Sequence, residues 1–70
     1  MDKRTLTDKQ ATALGTIQHY IALYHIPPTY AELSEIMGIR PNAVRGRLLV
    51  LESLGHLELI PNIARGIVVL

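Results

Sequence analysis

Pro27 and Pro28 stand side by side in "HIPPTY", and no α-helix runs through that pair. Each lacks the amide a helix interior needs, and each pushes the residue before it toward extended backbone. The chain must therefore be built from short pieces. Upstream, "TDKQ" offers a capping box in which Thr7 accepts from the amide three residues on and Gln10 reaches back. Ala11, Leu14, Ile17, Ile21 and Tyr24 then recur at intervals of three and four, which predicts a helix over 8–24 with one buried stripe. The opening "MDKRTL" is polar and is expected to be frayed.

Downstream of the prolines, "TYAE" is a second capping box, Thr29 with Glu32, and starts a short helix through about Met37. Leu33, Ile36 and Met37 form its apolar face, and Gly38 is a natural left-handed stop. Pro41 suits the first position of a third helix, where its missing amide costs nothing. That helix runs to about Leu54 and stops at Gly55. "LELI" and "GIVVL", separated by "PNIAR", form a small hairpin. Three helices followed by a two-stranded β-hairpin, with a tight glycine turn between the second and third, is the order of a winged helix-turn-helix. The fold class is thus α+β, mostly α, with one such domain over residues 1–70.

Composition narrows the chemistry. A chain of 70 residues is near the smallest size at which one core suffices. It has no cysteine, which excludes disulfides and thiolate metal sites. His19, His25 and His56 fall at no metal-site spacing, so no metal and no cofactor are expected. No stretch approaches the ~18 apolar residues of a membrane span, and no signal-peptide pattern opens the chain. No nucleophile–base pair or carboxylate dyad stands at a persuasive spacing, so an enzyme is not expected. The net charge of +1 says little, and charge placement has to carry the functional argument.

Placement is informative in the third helix. With Asn42 as the zero of a helical wheel, Arg45, Gly46 and Leu49 fall within about 60° of it, and Val44, Leu48 and Leu51 cluster opposite. The helix buries one stripe and presents Asn42, Arg45 and Gly46 outward near its N-terminus. In a helix-turn-helix these are the residues that enter the major groove. Asparagine pairs with adenine edges, and arginine with guanine or phosphate. Gly46 costs roughly 1 kcal/mol against alanine in a helix interior, which a close-approaching backbone would explain. An ordinary solvated face is the alternative.

The segments "LTDKQATALGTIQHYI", "PPTYAELSEIMGI", "PNAVRGRLLVLESLGHLEL" and "ARGIVVL" resemble, in order, the N-terminal DNA-binding domain of the LexA family of SOS repressors, over about residues 6–70. The resemblance implies a bacterial or phage-encoded transcriptional repressor that binds double-stranded operator DNA in the cytoplasm, associated with the nucleoid. It implies Asn42, Ala43, Arg45 and Gly46 at the base-reading end of the recognition helix. Arg40 would sit near phosphate or an outer base. Thr29 would face the DNA backbone from the start of the second helix, or serve only as its cap. Arg65 would touch the sugar-phosphate chain from the wing, or be an ordinary solvated residue.

Three departures from the family pattern stand out. The serine that usually lies between Arg40 and Pro41 is absent, which shortens the turn and leaves the operator sequence open. Leu49 and Leu54 replace frequent lysines, and the wing ends "VVL" without a basic residue. The sequence ends where the family's linker and self-cleaving peptidase domain would begin, so no self-cleavage is expected of it. Two-fold binding would then need a weak homodimer on DNA or a partner protein. The apolar Leu49, Val50, Leu54 and Val68 keep a second reading open, a winged-helix interaction module acting on a partner repressor or a polymerase component.

Overall fold

The computed structural model describes residues 5–70, so the first four residues of "MDKRTL" lie outside the described part. Thr7 opens helix α1, Asp8–Tyr24, with both halves of its capping box in place. Its hydroxyl accepts from the Gln10 amide at 3.2 Å, and the Gln10 carboxamide oxygen accepts from the Thr7 amide at 3.0 Å. His25 ends the helix in the left-handed conformation, with φ at 62°, just before the prolines. Thr29 opens α2, Tyr30–Met37, with a second complete box, and Gly38 ends it at φ 67°. The turn that follows is closed by Ser34. Its carbonyl accepts from the Ile39 amide at 3.1 Å, and its hydroxyl donates to the Ile39 carbonyl.

Helix α3, Pro41–Ser53, begins directly at its proline, and its N-cap residue Arg40 makes no side-chain capping bond. The amide of Val44 reaches the Arg40 carbonyl, but no hydroxyl closes the first turn. Gly55, at φ 85°, turns the chain into strand β1, Leu57–Leu59, which pairs antiparallel with β2, Ile67–Val69. Leu57 lies opposite Val69 and Leu59 opposite Ile67. These four side chains face the helices, while Glu58 and Val68 point outward.

The core sits where α3 meets α1, α2 and β1. Val44, Leu48 and Leu51 of α3 are fully buried, together with Ala13, Ile17, Leu33, Leu57 and Ile67. Each large apolar side chain so buried contributes about 1.5–3 kcal/mol, and this stripe fixes which face of α3 remains outside.

Two expectations need correction. In α1, Ala11 is exposed and Ala13 is buried in its place. Ala11 lies about 120° from the centre of the stripe that Ala13, Ile17 and Ile21 define. Tyr24 points along the stripe but stands at the last residue of the helix, where it is 59% exposed and packs on the Tyr20 ring at 4.5 Å. In α2, Ile36 is exposed, because Tyr30, Leu33 and Met37 share the inner face and Ile36 sits roughly 90° from its centre.

Candidate nucleic-acid interface

With one stripe of α3 buried, the opposite side stands out as a ridge between two furrows. The furrow on the wing side is a groove of about 710 Å³ reached by Arg45, Leu49 and Glu52 from α3 and by Ile60, Pro61 and Ile63 from the loop between the strands. The furrow on the other side, about 330 Å³, lies between Ala43, Gly46, Arg47 and Val50 of α3 and Thr7, Lys9 and Gln10 at the start of α1. Asn42, Ala43, Arg45 and Gly46 are all exposed at the N-terminal end of the ridge, with Arg40 beside them. The wheel therefore placed this face correctly.

Cations concentrate here despite the small net charge. Arg40, Arg45, Arg47 and Lys9 border the ridge, and among the described residues none of their side chains makes a hydrogen bond or ion pair. Glu52, the acid nearest the wing-side furrow, is occupied: its Oε2 accepts from the Leu59 amide at 2.8 Å, tying α3 to the stem of the wing. Sequence reasoning had left Lys9 and Arg47 out of the site. Lys9 comes to α3 only through the packing of α1, which no local pattern reports.

Gly46 has open space where a Cβ would stand, so no contact inside the molecule demands glycine there. Gly66 in the wing is the opposite case. A Cβ on it would lie 2.4 Å from the Ile60 carbonyl oxygen and 3.0 Å from that of Ile63. The loop closes through those same groups, with the Ile60 amide on the Gly66 carbonyl at 2.8 Å and the Gly66 amide on the Ile63 carbonyl at 3.1 Å.

Thr29 and Arg65 are placed differently from the α3 residues. The Thr29 hydroxyl accepts from the Glu32 amide at 3.1 Å, and its own amide donates to Glu32 Oε1 at 2.8 Å, so it serves as a cap. Arg65 Nη1 donates to Glu32 Oε1 at 2.7 Å and to the Pro27 carbonyl at 2.9 Å, and Nη2 donates to Glu32 Oε2 at 3.1 Å. The Arg65 fork, joined by the Thr29 amide, holds the Glu32 carboxyl down to about 2, and the Glu32 carboxylate in turn raises the Arg65 guanidinium above its usual range. A phosphate contact from Arg65 would have to compete with this pair. Sequence reasoning missed Glu32 as anything beyond a capping residue.

A sequence model described as the LexA DNA binding domain matches residues 3–66. Among curated proteins, the LexA repressor of Methylococcus capsulatus is 38% identical over 65 residues, covering 91% of this chain and 32% of its own length. The LexA repressor of Shewanella sediminis is 40% identical over 65 residues, with the same two coverages of 91% and 32%. LexA repressor 1 of Pseudomonas syringae pv. tomato is 38% identical over 63 residues, covering 89% of this chain and 31% of its own. The chain spans about a third of the length of these relatives.

Proposed function

This chain belongs to the LexA DNA-binding domain family, and from that premise we propose that it reads double-stranded DNA in a sequence-specific way and represses transcription by occupying its site. The observation that carries the proposal is the ridge of α3, which bears cations without internal partners and is flanked by a furrow on each side. A ridge of that form fits a major groove, and the furrows leave room for the two phosphate chains that wall it.

In this reading Asn42 and Arg45 contact base edges, with Ala43 and Gly46 allowing close approach. Arg40 neutralises phosphate at the open end of α3, and Lys9 and Arg47 do so across the smaller furrow. A contact from the Thr29 hydroxyl to the DNA backbone would have to share that hydroxyl with Glu32, whose amide and carboxylate it already serves. Arg65 stands outside this set because its guanidinium is committed to Glu32. A single copy makes few contacts, so repression works through two copies on paired half-sites or through a partner protein.

The test is titration of the chain, at two salt concentrations, against duplexes enriched from a random library. Binding through several phosphates falls steeply with salt, with a log–log slope of about −0.9 per phosphate neutralised. Failure to enrich any duplex, or affinity indifferent to salt, overturns the proposal. One observation favours a second reading, in which the wing and α3 dock a partner protein. Leu49, Val50 and Val68 are 45%, 40% and 41% exposed, respectively. Retention of a partner repressor or polymerase component together with failure on DNA would select it.

A further inference from the structure

The wing loop carries no basic side chain from Ile60 through Ala64, and these residues are exposed. Whatever such a loop gives to a DNA complex comes from backbone amides and apolar contact, and both depend on where the loop is held. Its own hydrogen bonds, Ile60 to Gly66 and Gly66 to Ile63, are internal. Among the described residues, the bonds that tie this loop to the helices run through Arg65, which reaches back 33 residues to Glu32 and 38 to Pro27.

The acceptor is itself rigidly placed. Glu32 Oε1 takes the Thr29 amide as well as Arg65, so its carboxylate lies against the N-terminus of an eight-residue helix. A negative charge is favoured at that helix end, and a planar guanidinium fork matches a carboxylate with two parallel bonds. The position that a DNA phosphate would take at the start of α2 thus already holds an anion, and the cation that would attract phosphate is already neutralised.

We propose that Arg65 is a positioning residue for DNA recognition: clipped to Glu32 and Pro27, it holds the wing loop to the start of α2, as Glu52 holds the stem to α3, and does not itself contact phosphate. This rests on the DNA-binding reading, and the test is arranged so that the two fail differently. Glu32→Gln is the key variant. It keeps the capping box, as Gln10 does in α1, and removes only the charge that holds Arg65.

Affinity for a library-selected duplex would be measured by fluorescence anisotropy over a salt series, below every variant's melting temperature, for wild type, Arg65→Ala, Arg65→Lys, Glu32→Gln and the Ala/Gln double variant. The clip predicts that Arg65→Ala and Glu32→Gln each weaken binding about three- to tenfold, the loss for a wing in place a third to a tenth of the time. The salt slope stays that of wild type, the double variant is no worse than the singles, and Arg65→Lys, which keeps the charge but not the fork, does not restore affinity. A phosphate contact predicts the reverse signs. Glu32→Gln would free Arg65 and tighten binding, Arg65→Ala would flatten the slope by about one unit, and Arg65→Lys would stay near wild type. Those results, or variants that all bind like wild type, overturn the clip alone. A wild type with no salt-dependent binding overturns the DNA-binding reading and the positioning role together.

Discussion

Arg45 and Arg65 are the same residue type on adjoining walls of the molecule, and their circumstances are opposite. Arg45 stands on the α3 ridge with no partner among the described residues. Arg65 makes three hydrogen bonds within the chain and neutralises Glu32. A guanidinium in water loses little by waiting for a ligand, whereas one that already holds a carboxylate must give it up first. The lesson is that basic residues near a groove do not contribute equally to a nucleic-acid interface. Net charge cannot tell the two cases apart. Geometry does.

The comparison is tested most severely at Gly66, where the bound region is made. Gly66→Ala sets a Cβ against the Ile60 carbonyl oxygen at 2.4 Å, a backbone atom that cannot move aside without opening the loop. Overpacking of this kind costs about 3 kcal/mol at the upper end of its usual range. In a domain of this size that lowers the melting temperature by more than about 10 °C. A scanning calorimetry trace unchanged from wild type would mean that the wing is far looser than its geometry shows.

The free region should behave in the opposite manner. Asn42→Ala and Arg45→Ala are each expected to cost about 1–3 kcal/mol on the selected duplex while leaving thermal unfolding where it was. If both variants keep wild-type specific and non-specific affinity, α3 is not the reader. Gly46→Ala sharpens the contrast with a smaller effect of mixed sign. Open space around that position lets alanine stabilise the free protein by up to about 1 kcal/mol, whereas an approaching DNA backbone would make the same methyl weaken binding. Gly15→Ala is the control, since Gly15 is also helical and open but lies on α1. Equal binding by the two alanine variants would show that nothing comes close at Gly46.

The smallest effect belongs to pH. Glu32 titrates at about 2 in the folded chain against 4.5 for an unpaired glutamate, chiefly because of Arg65. The folded state therefore binds this proton less readily than the unfolded state. The stabilisation is complete above pH 4.5 and is lost as the pH falls through about 2. Both side chains are more than a third exposed, at 37% and 36%, so solvent screens the pair and the change is modest. Urea midpoints taken from pH 6 to pH 2 should fall less for Glu32→Gln than for wild type. Parallel curves would place the acid sensitivity elsewhere.

Much of this was legible in the sequence because it is local. Both capping boxes, the left-handed stop at Gly38 and the start of α3 at Pro41 rest on residues within four positions of one another, and the hairpin on two neighbouring apolar runs joined by a short turn. The outward face of α3 followed from the 3.6-residue period, since Val44, Leu48 and Leu51 left no ambiguity about the inner stripe. Ala11 and Ile36 were misplaced because an apolar side chain at roughly helical spacing can still lie 90–120° from the core. The Arg65–Glu32 pair was invisible for a different reason. Two opposite charges 33 residues apart have no periodicity, and only the assembled fold brings them within 2.7 Å.

Because one carboxylate both caps α2 and anchors the wing, the opening of either part loosens the other. If α2 unwinds at its first turn, Glu32 swings away from Arg65. If the wing lifts, Glu32 loses the cation that holds its charge in place. In the language of amide hydrogen exchange the two parts are coupled, so Arg65→Ala should lower the protection of the Thr29 and Ile60 amides together although they lie in distant parts of the chain. The Thr7 and Gln10 amides belong to a box with no such second anchor among the described residues, and the same substitution should leave their exchange unchanged.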